Sequence, residues 1–238
     1  MVSSPVVGQM RFQFWKDTLN AIFKVEKRIV KLVPQSPVAQ ELNFVITRKN
    51  LPREPFDALI RARESQLGYH PFTDLSQMTA YMEISVGTML RLIHHCLDEA
   101  PSQQSEIVTN LVGSSLGICN ALRSLPLHAI NNRVYLPPSL LEEYGVTRDQ
   151  LHRFQRTEAI RRMTQYLAQQ AADRLCQARS LKSQLSSRIC AVLLVSAVVD
   201  HYLTILHNVN YDIFDAKVQQ RYTRLPFVLL WRRLRRTF

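Results

Sequence analysis

Glycine is scarce in this chain, at 6 of 238 residues, too few for an architecture built on strands and tight turns. The four cysteines, Cys96, Cys119, Cys176 and Cys190, include no C-x-x-C pair, which excludes a zinc ribbon and a dense disulfide framework. Each lies in an apolar helical stretch and reads as a reduced, small buried hydrophobe. Neither G-x-G-x-x-G nor G-x-x-x-x-G-K-[ST] occurs, so no loop is built to cradle phosphates. The longest apolar run, Ile189 to Val199, stops at Asp200 and His201. It falls short of the roughly 20 residues that cross a bilayer, and so predicts a core helix. Met1 to Gln9 has neither a charged start nor an apolar stretch, so no secretory signal or cleavable transit peptide is visible.

What is present is helical. Hydrophobic residues make up 46% and charged residues 21%, enough to bury one full core, and 1–238 reads as a single all-α domain. Met10, Phe14, Leu19, Ile22 and Phe23 are spaced as one apolar stripe, with Phe14 and Trp15 expected in the core. Pro37 to Lys49 and Arg53 to Leu67 predict two further helices, the latter closed by Gly68. Asp74 should cap a long helix to about Leu97, and Gln103 to Ser124 the next, whose small residues Gly113, Ser114, Ser115 and Gly117 permit close approach of a neighbour. Two prolines, Pro126 and Pro137, predict an irregular segment from Leu125 to Pro138. Thr147 should cap a short helix, followed by a polar helix from Thr157 to Ser180, an apolar one from Ser186 to His207, and a final pair split by Pro226.

Few side chains are grouped for chemistry. His94, His95 and Cys96 are consecutive and point in three directions from a helix, so no metal site is expected there. Asp212 and Asp215 form a D-x-x-D, but no second acidic motif faces it, and capping a helix start is the simpler role. The formal net charge is +11, and 218–238 holds six arginines and no acid, which draws the surface toward anions. Without interleaved aromatics or a helix-turn-helix, nucleic acid is not an expected partner. In the tail 221–238, Phe227, Leu230, Trp231 and Leu234 share a helical face beside Arg232, Arg233, Arg235 and Arg236. That pattern fits an interfacial helix, with Trp231 and these four arginines as the membrane or partner surface. It fits equally a last core helix with a solvated basic face.

The segment L-G-I-C-N-A-L-R-S-L-P-L-H-A-I-N-N-R-V-Y-L-P, Leu116 to Pro137, resembles the second conserved region of the squalene/phytoene synthases. Asn120, Arg123, Arg133, Tyr135, Leu136 and Pro137 fit that pattern, whereas Ser124 and His128 stand where it has acids. R-F-Q-F-W-K at Arg11 to Lys16, S-P-V-A-Q-E-L, and L-P-R-E-P-F-D-A-L-I-R-A-R-E resemble upstream blocks of the family. The resemblance implies an isoprenoid-synthase-like helical bundle, shortened at its N-terminus by the helix that carries the first aspartate motif. It implies no carboxylates for magnesium, Arg123 left as an isolated cation in the cavity, no cofactor, and no catalysis.

A branch of the family that serves in assembly of mitochondrial respiratory complex I departs from the enzymes in the same L-R-x-x-P-x-H segment. The chain resembles that branch at Gly8 to Lys16, Ala62 to Glu64, Ala121 to His128, Tyr211 to Asp215, Leu225 and Pro226. That likeness implies early complex I biogenesis on the matrix side of the inner membrane. Complex I subunits, other assembly factors and an anionic membrane surface would be the partners. The alternative is a residual prenyl diphosphate transferase, or an isoprenoid or lipid binder, using a cavity lined by the helices around Met89 and Ile118.

Overall fold

A computed structural model describes residues 5–23, 33–97, 102–131, 133–235 and 237–238. Among them no strand occurs, and the helices in chain order are α1 (Pro5–Ile22), α2 (Pro37–Lys49), α3 (Glu54–Ser65), α4 (Leu75–Met82), α5 (Thr88–Cys96), α6 (Gln103–Ile130), α7 (Pro138–Glu143), α8 (Arg148–His152), α9 (Glu158–Ser180), α10 (Ser187–Val192), α11 (Ser196–Asn208) and α12 (Leu225–Arg235). A π turn, Glu83–Gly87, joins α4 to α5 in one rod, and a 3-10 turn, Leu193–Val195, joins α10 to α11.

Local chemistry sets most of these ends. The Asp74 carboxylate accepts from the Gln77 N–H at 2.8 Å, and Thr147 and Gln150 form a reciprocal capping box, satisfying donors the first helical turn leaves free. Gly68, at φ +94°, takes the left-handed conformation that ends the turn after α3. Asp215 accepts from Lys217 N–H at 2.8 Å and caps the 3-10 turn Ala216–Gln219. Asp212 accepts from Phe214 N–H at 3.0 Å and pairs with Arg156 at 3.4 Å. The D-x-x-D is therefore a structural turn.

The centre is α6. It packs most extensively on α9 and on the π turn, and Val112, Ile118, Leu122, Leu125 and Ala129 are sealed from solvent along its length. A Cβ on Gly113 would lie 2.5 Å from the Gly87 amide nitrogen, and one on Gly117 2.6 Å from Met82 Cβ. The two helices thus touch backbone to backbone, as the small residues implied. A smaller core of Leu19, Ile22, Ile46 and Leu51 ties α1 and α2 to α3.

Several expectations need correction. α6 runs through Pro126 to Ile130, so the irregular segment begins at Asn131. The proline forfeits one backbone bond, but buried Leu125 and Ala129 anchor the last turns, and the Ala129 and Leu127 carbonyls are bonded to His152 Nδ1 and Asn131 Nδ2, each at 2.9 Å. Phe14 is exposed and Trp15 only half-buried, because α1 meets the body mainly through Leu19 and Ile22. Residues 24–32, which follow that stripe, lie outside the described residues. Cys119 and Cys190 are buried as expected, but Cys176 is exposed on α9. The apolar run near Ile189 is part of a continuous 22-residue helical stretch, Ser187–Asn208, long and apolar enough to cross a membrane. Half of it is buried within the protein, as in a core helix.

Candidate functional site

A cavity of about 540 Å³ opens beside the C-terminal half of α6. Asn120, Ser124 and His128, at spacing i, i+4, i+8, present one face of the helix to it. Arg133 and Tyr135 reach it from the loop after α6, Arg63 and Gln66 from the end of α3, and Tyr81, Met82, Ser85 and Val86 from the rod. Phe12, Leu67, Phe72, Leu125 and Leu136 make much of the remaining wall apolar.

The polar groups of this wall are mostly held by neighbours. Ser124 donates to the Ala121 carbonyl at 3.2 Å, so its hydroxyl is turned back onto its own helix. The His128 ring meets Tyr135 edge-on at 4.9 Å, and Tyr135 meets Tyr69 at 5.4 Å. Tyr69, itself at φ +70°, donates to the Val134 carbonyl and accepts from the Val134 N–H, both at 3.0 Å, which pins the loop after α6 to the turn after α3. Arg63 donates to the Tyr81 hydroxyl at 3.1 Å and lies over that ring. Burial, with Arg133 nearby, lowers the His128 pKa and keeps the imidazole neutral. Its Nδ1 is buried without a hydrogen-bond partner, as is Gln66 Oε1.

Magnesium would need hard oxygen ligands, several of them carboxylates. Among the described residues no Asp or Glu lines this cavity, and no group of three His, Cys, Asp or Glu is placed to hold a metal ion. The residues present do not fit that ion.

Arg123 is not in this cavity. One residue before Ser124, it projects about 100° around the helix and lines a second cavity of about 370 Å³ with Cys119, Asn120, His201, Tyr202 and Tyr222. There His201 stacks on Tyr222 at 3.5 Å. The Tyr202 hydroxyl is buried without a partner, and burial raises its pKa, as it does that of the Cys119 thiol, pushed up to about 12. Neither group is poised to ionise near neutrality. The helices expected to line the first cavity do so, but not through Met89, which is exposed, or Ile118, which is sealed in the core.

A G-x-S-x-G pattern lies at Gly113 to Gly117, the letters of a nucleophile elbow. It sits inside α6, and Ser115 is fully buried and donates to the Ala171 carbonyl at 2.7 Å. It is a packing motif, not an elbow.

Sequence reasoning missed Arg63, Tyr69 and Tyr81. The signal for the first was the A-R-E match at Ala62 to Glu64. Glu64 pairs with Lys16 at 2.7 Å, and so joins two of the matched blocks across α1 and α3.

The tail takes a different form. No residue of α12 is fully buried, but Val228, Leu229 and Arg232 are half-buried on the side that rests against α11 and the 3-10 turn Leu193–Val195. Arg232 turns inward to Asp200 at 2.6 Å, and Arg179 reaches the same carboxylate at 2.6 Å. Arg235 lies over the Trp231 ring at 4.3 Å, Arg233 extends to the Ser187 carbonyl at 3.5 Å, and Arg236 lies outside the described residues.

Comparison with known proteins places this geometry. The sequence profile described as squalene/phytoene synthase matches residues 1–228. NADH dehydrogenase (ubiquinone) complex I, assembly factor 6, of Rattus norvegicus is 27% identical over 235 residues, spanning 98% of this chain and 68% of that protein. The Homo sapiens protein of the same name is 27% identical over 237 residues, 100% and 69% of the two chains. Squalene synthase HpnC from Alicyclobacillus acidocaldarius superposes with a TM-score of 0.74 at 20% identity, over 85% of this chain and 74% of that one. At that identity the likeness is one of fold.

Proposed function

The chain belongs to the squalene/phytoene synthase family, and from that premise we propose that it acts without catalysis in the assembly of mitochondrial respiratory complex I. The observation that carries this reading is the wall of the first cavity, which no carboxylate of the described residues lines, Ser124 and His128 standing where the sequence resembles the acidic positions of the family. Ionising an allylic diphosphate requires charge stabilisation aimed at the departing group, and this wall offers no metal ligands for it. The names of the relatives that match nearly the whole chain support the assignment to complex I. On this reading the protein works early in biogenesis, on the matrix side of the inner membrane, and its partners are complex I subunits or other assembly factors.

Depleting the protein should lower assembled complex I, resolved on native gels, while the other respiratory complexes keep their levels. Unchanged complex I would overturn the reading. Re-expressing the Ser124→Ala, His128→Ala double variant should restore assembly as well as the unaltered chain does, because no chemistry passes through those side chains.

A second reading is favoured by the size and apolar lining of the cavity, which suit an isoprenoid or other lipid bound without being transformed. Purified protein incubated with farnesyl diphosphate, with and without magnesium, should then bind it saturably, independently of the metal, and form no product. Magnesium-dependent turnover would restore the enzyme class, and the absence of binding would remove this reading.

A further inference from the structure

We propose that α12 lies in the headgroup plane of an anionic bilayer, with Phe227, Leu230, Trp231 and Leu234 inserted and arginines on both flanks meeting lipid phosphates. The inference is independent of complex I.

It starts from which way the helix faces. Phe227, Leu230, Trp231 and Leu234 are 75%, 61%, 52% and 75% exposed. At about 100° per residue they span one arc roughly 100° wide. Val228, Leu229 and Arg232 are half-buried on the opposite side. The inner face is fixed by the Arg232–Asp200 pair at 2.6 Å, which commits one arginine to the protein and turns the apolar arc outward. On the same helical count Arg235 and Arg233 fall on the two edges of the arc, and Arg235 covers the Trp231 ring at 4.3 Å.

The occupant follows from charge and area. Besides the paired Arg232, residues 218–238 carry five arginines and no acid, so a surface dense in negative charge complements them. An eleven-residue helix is about 16 Å long, and its four exposed apolar side chains offer less than the roughly 800 Å² per partner of a standard protein interface. A bilayer needs no such footprint, because shallow insertion and phosphate attraction add. An indole beside a guanidinium suits the boundary between acyl chains and headgroups.

The test is flotation of the full chain with phosphatidylcholine vesicles, with or without phosphatidylglycerol. Binding is expected to the anionic vesicles alone and to weaken with salt. Trp15 and Trp231 are the two tryptophans, so in a Trp15→Phe background the Trp231 emission should shift to shorter wavelength on binding. Phe227→Ser with Leu234→Ser should abolish flotation while leaving circular dichroism and the unfolding midpoint unchanged. Arg233→Gln with Arg235→Gln should weaken binding about thirtyfold, about 1 kcal/mol for each arginine. Equal binding to neutral vesicles, or flotation that survives Phe227→Ser with Leu234→Ser, overturns the proposal. So does self-association without flotation that the same double variant abolishes, which would assign the face to a protein partner.

Discussion

α6 and α12 are both amphipathic by sequence, yet the structure uses them in opposite ways. α6 has neighbours on several sides and touches the π turn through bare backbone at Gly113. α12 fully buries none of its residues, and its inner side rests on α11 through half-buried Val228 and Leu229 and the Arg232–Asp200 ion pair. The difference teaches where this chain keeps its family's constraints. Positions that pack the bundle, such as Ile118 and Leu122, are sealed, while Asn120, Ser124 and His128 face the cavity. Packing and cavity wall thus use different faces of one helix, so the residues of the wall can change without emptying the core.

That contrast can be broken by experiment. The largest effect should come from Leu122→Ala, which empties a fully buried site on α6 and should cost about 3 kcal/mol in urea unfolding. A cost below about 1 kcal/mol would mean that α6 is not the centre of the core. Gly113→Ala puts a methyl against the Gly87 backbone, which has no side chain to move aside. It should cost about 2 kcal/mol even after the gain in helix propensity, and a neutral result would deny the close crossing. Asp200→Asn removes the acid shared by Arg179 and Arg232. The expected loss is about 1 kcal/mol, with trypsin cleaving α12 faster than in the unaltered chain.

Acid should act more weakly than any of these. Burial lowers the pKa of His95, His128 and His201 from the ordinary 6.5, so in mild acid the unfolded chain binds protons that the folded chain refuses. Stability should therefore be held above about pH 6.5 and lost as pH falls from there toward the folded values. Glu83, raised from its ordinary 4.5 by burial, opposes this at lower pH. Urea midpoints that do not fall between about pH 7.5 and about pH 5.5 would contradict the burial of these rings. The smallest change in stability, within about 0.5 kcal/mol, is expected for Phe227→Ser with Leu234→Ser. A large loss there would mean that α12 packs like α6 after all.

Much of the fold was legible because its signals are local. Asp74, Thr147 and Gly68 act on backbone groups within a few residues, and the stripe Asn120, Ser124, His128 follows from helical period alone. Pro126 misled because its local veto on helix was outweighed by Leu125 and Ala129, whose burial depends on distant segments. The inward turn of Arg232 was invisible for the same reason, since Asp200 lies 32 residues away in sequence. Of the cavity wall, the stretch on α6 was legible, whereas Tyr69, Tyr81 and Arg63 come to it from other elements that only packing brings together.

The π turn at Glu83–Gly87 sets the rotational phase of everything after it in the rod. Leu90 and His94 are buried on α5, while Met89 and Ile93, one position earlier, are about half exposed. One residue corresponds to about 100° of rotation. Were the turn tightened to ordinary helix by deleting a single residue, as such bulges allow, α5 would turn by about that angle and carry Leu90 and His94 to positions now exposed. The irregularity works as a clutch: α4 can keep its alignment to the cavity while α5 is indexed independently against the helices beyond it.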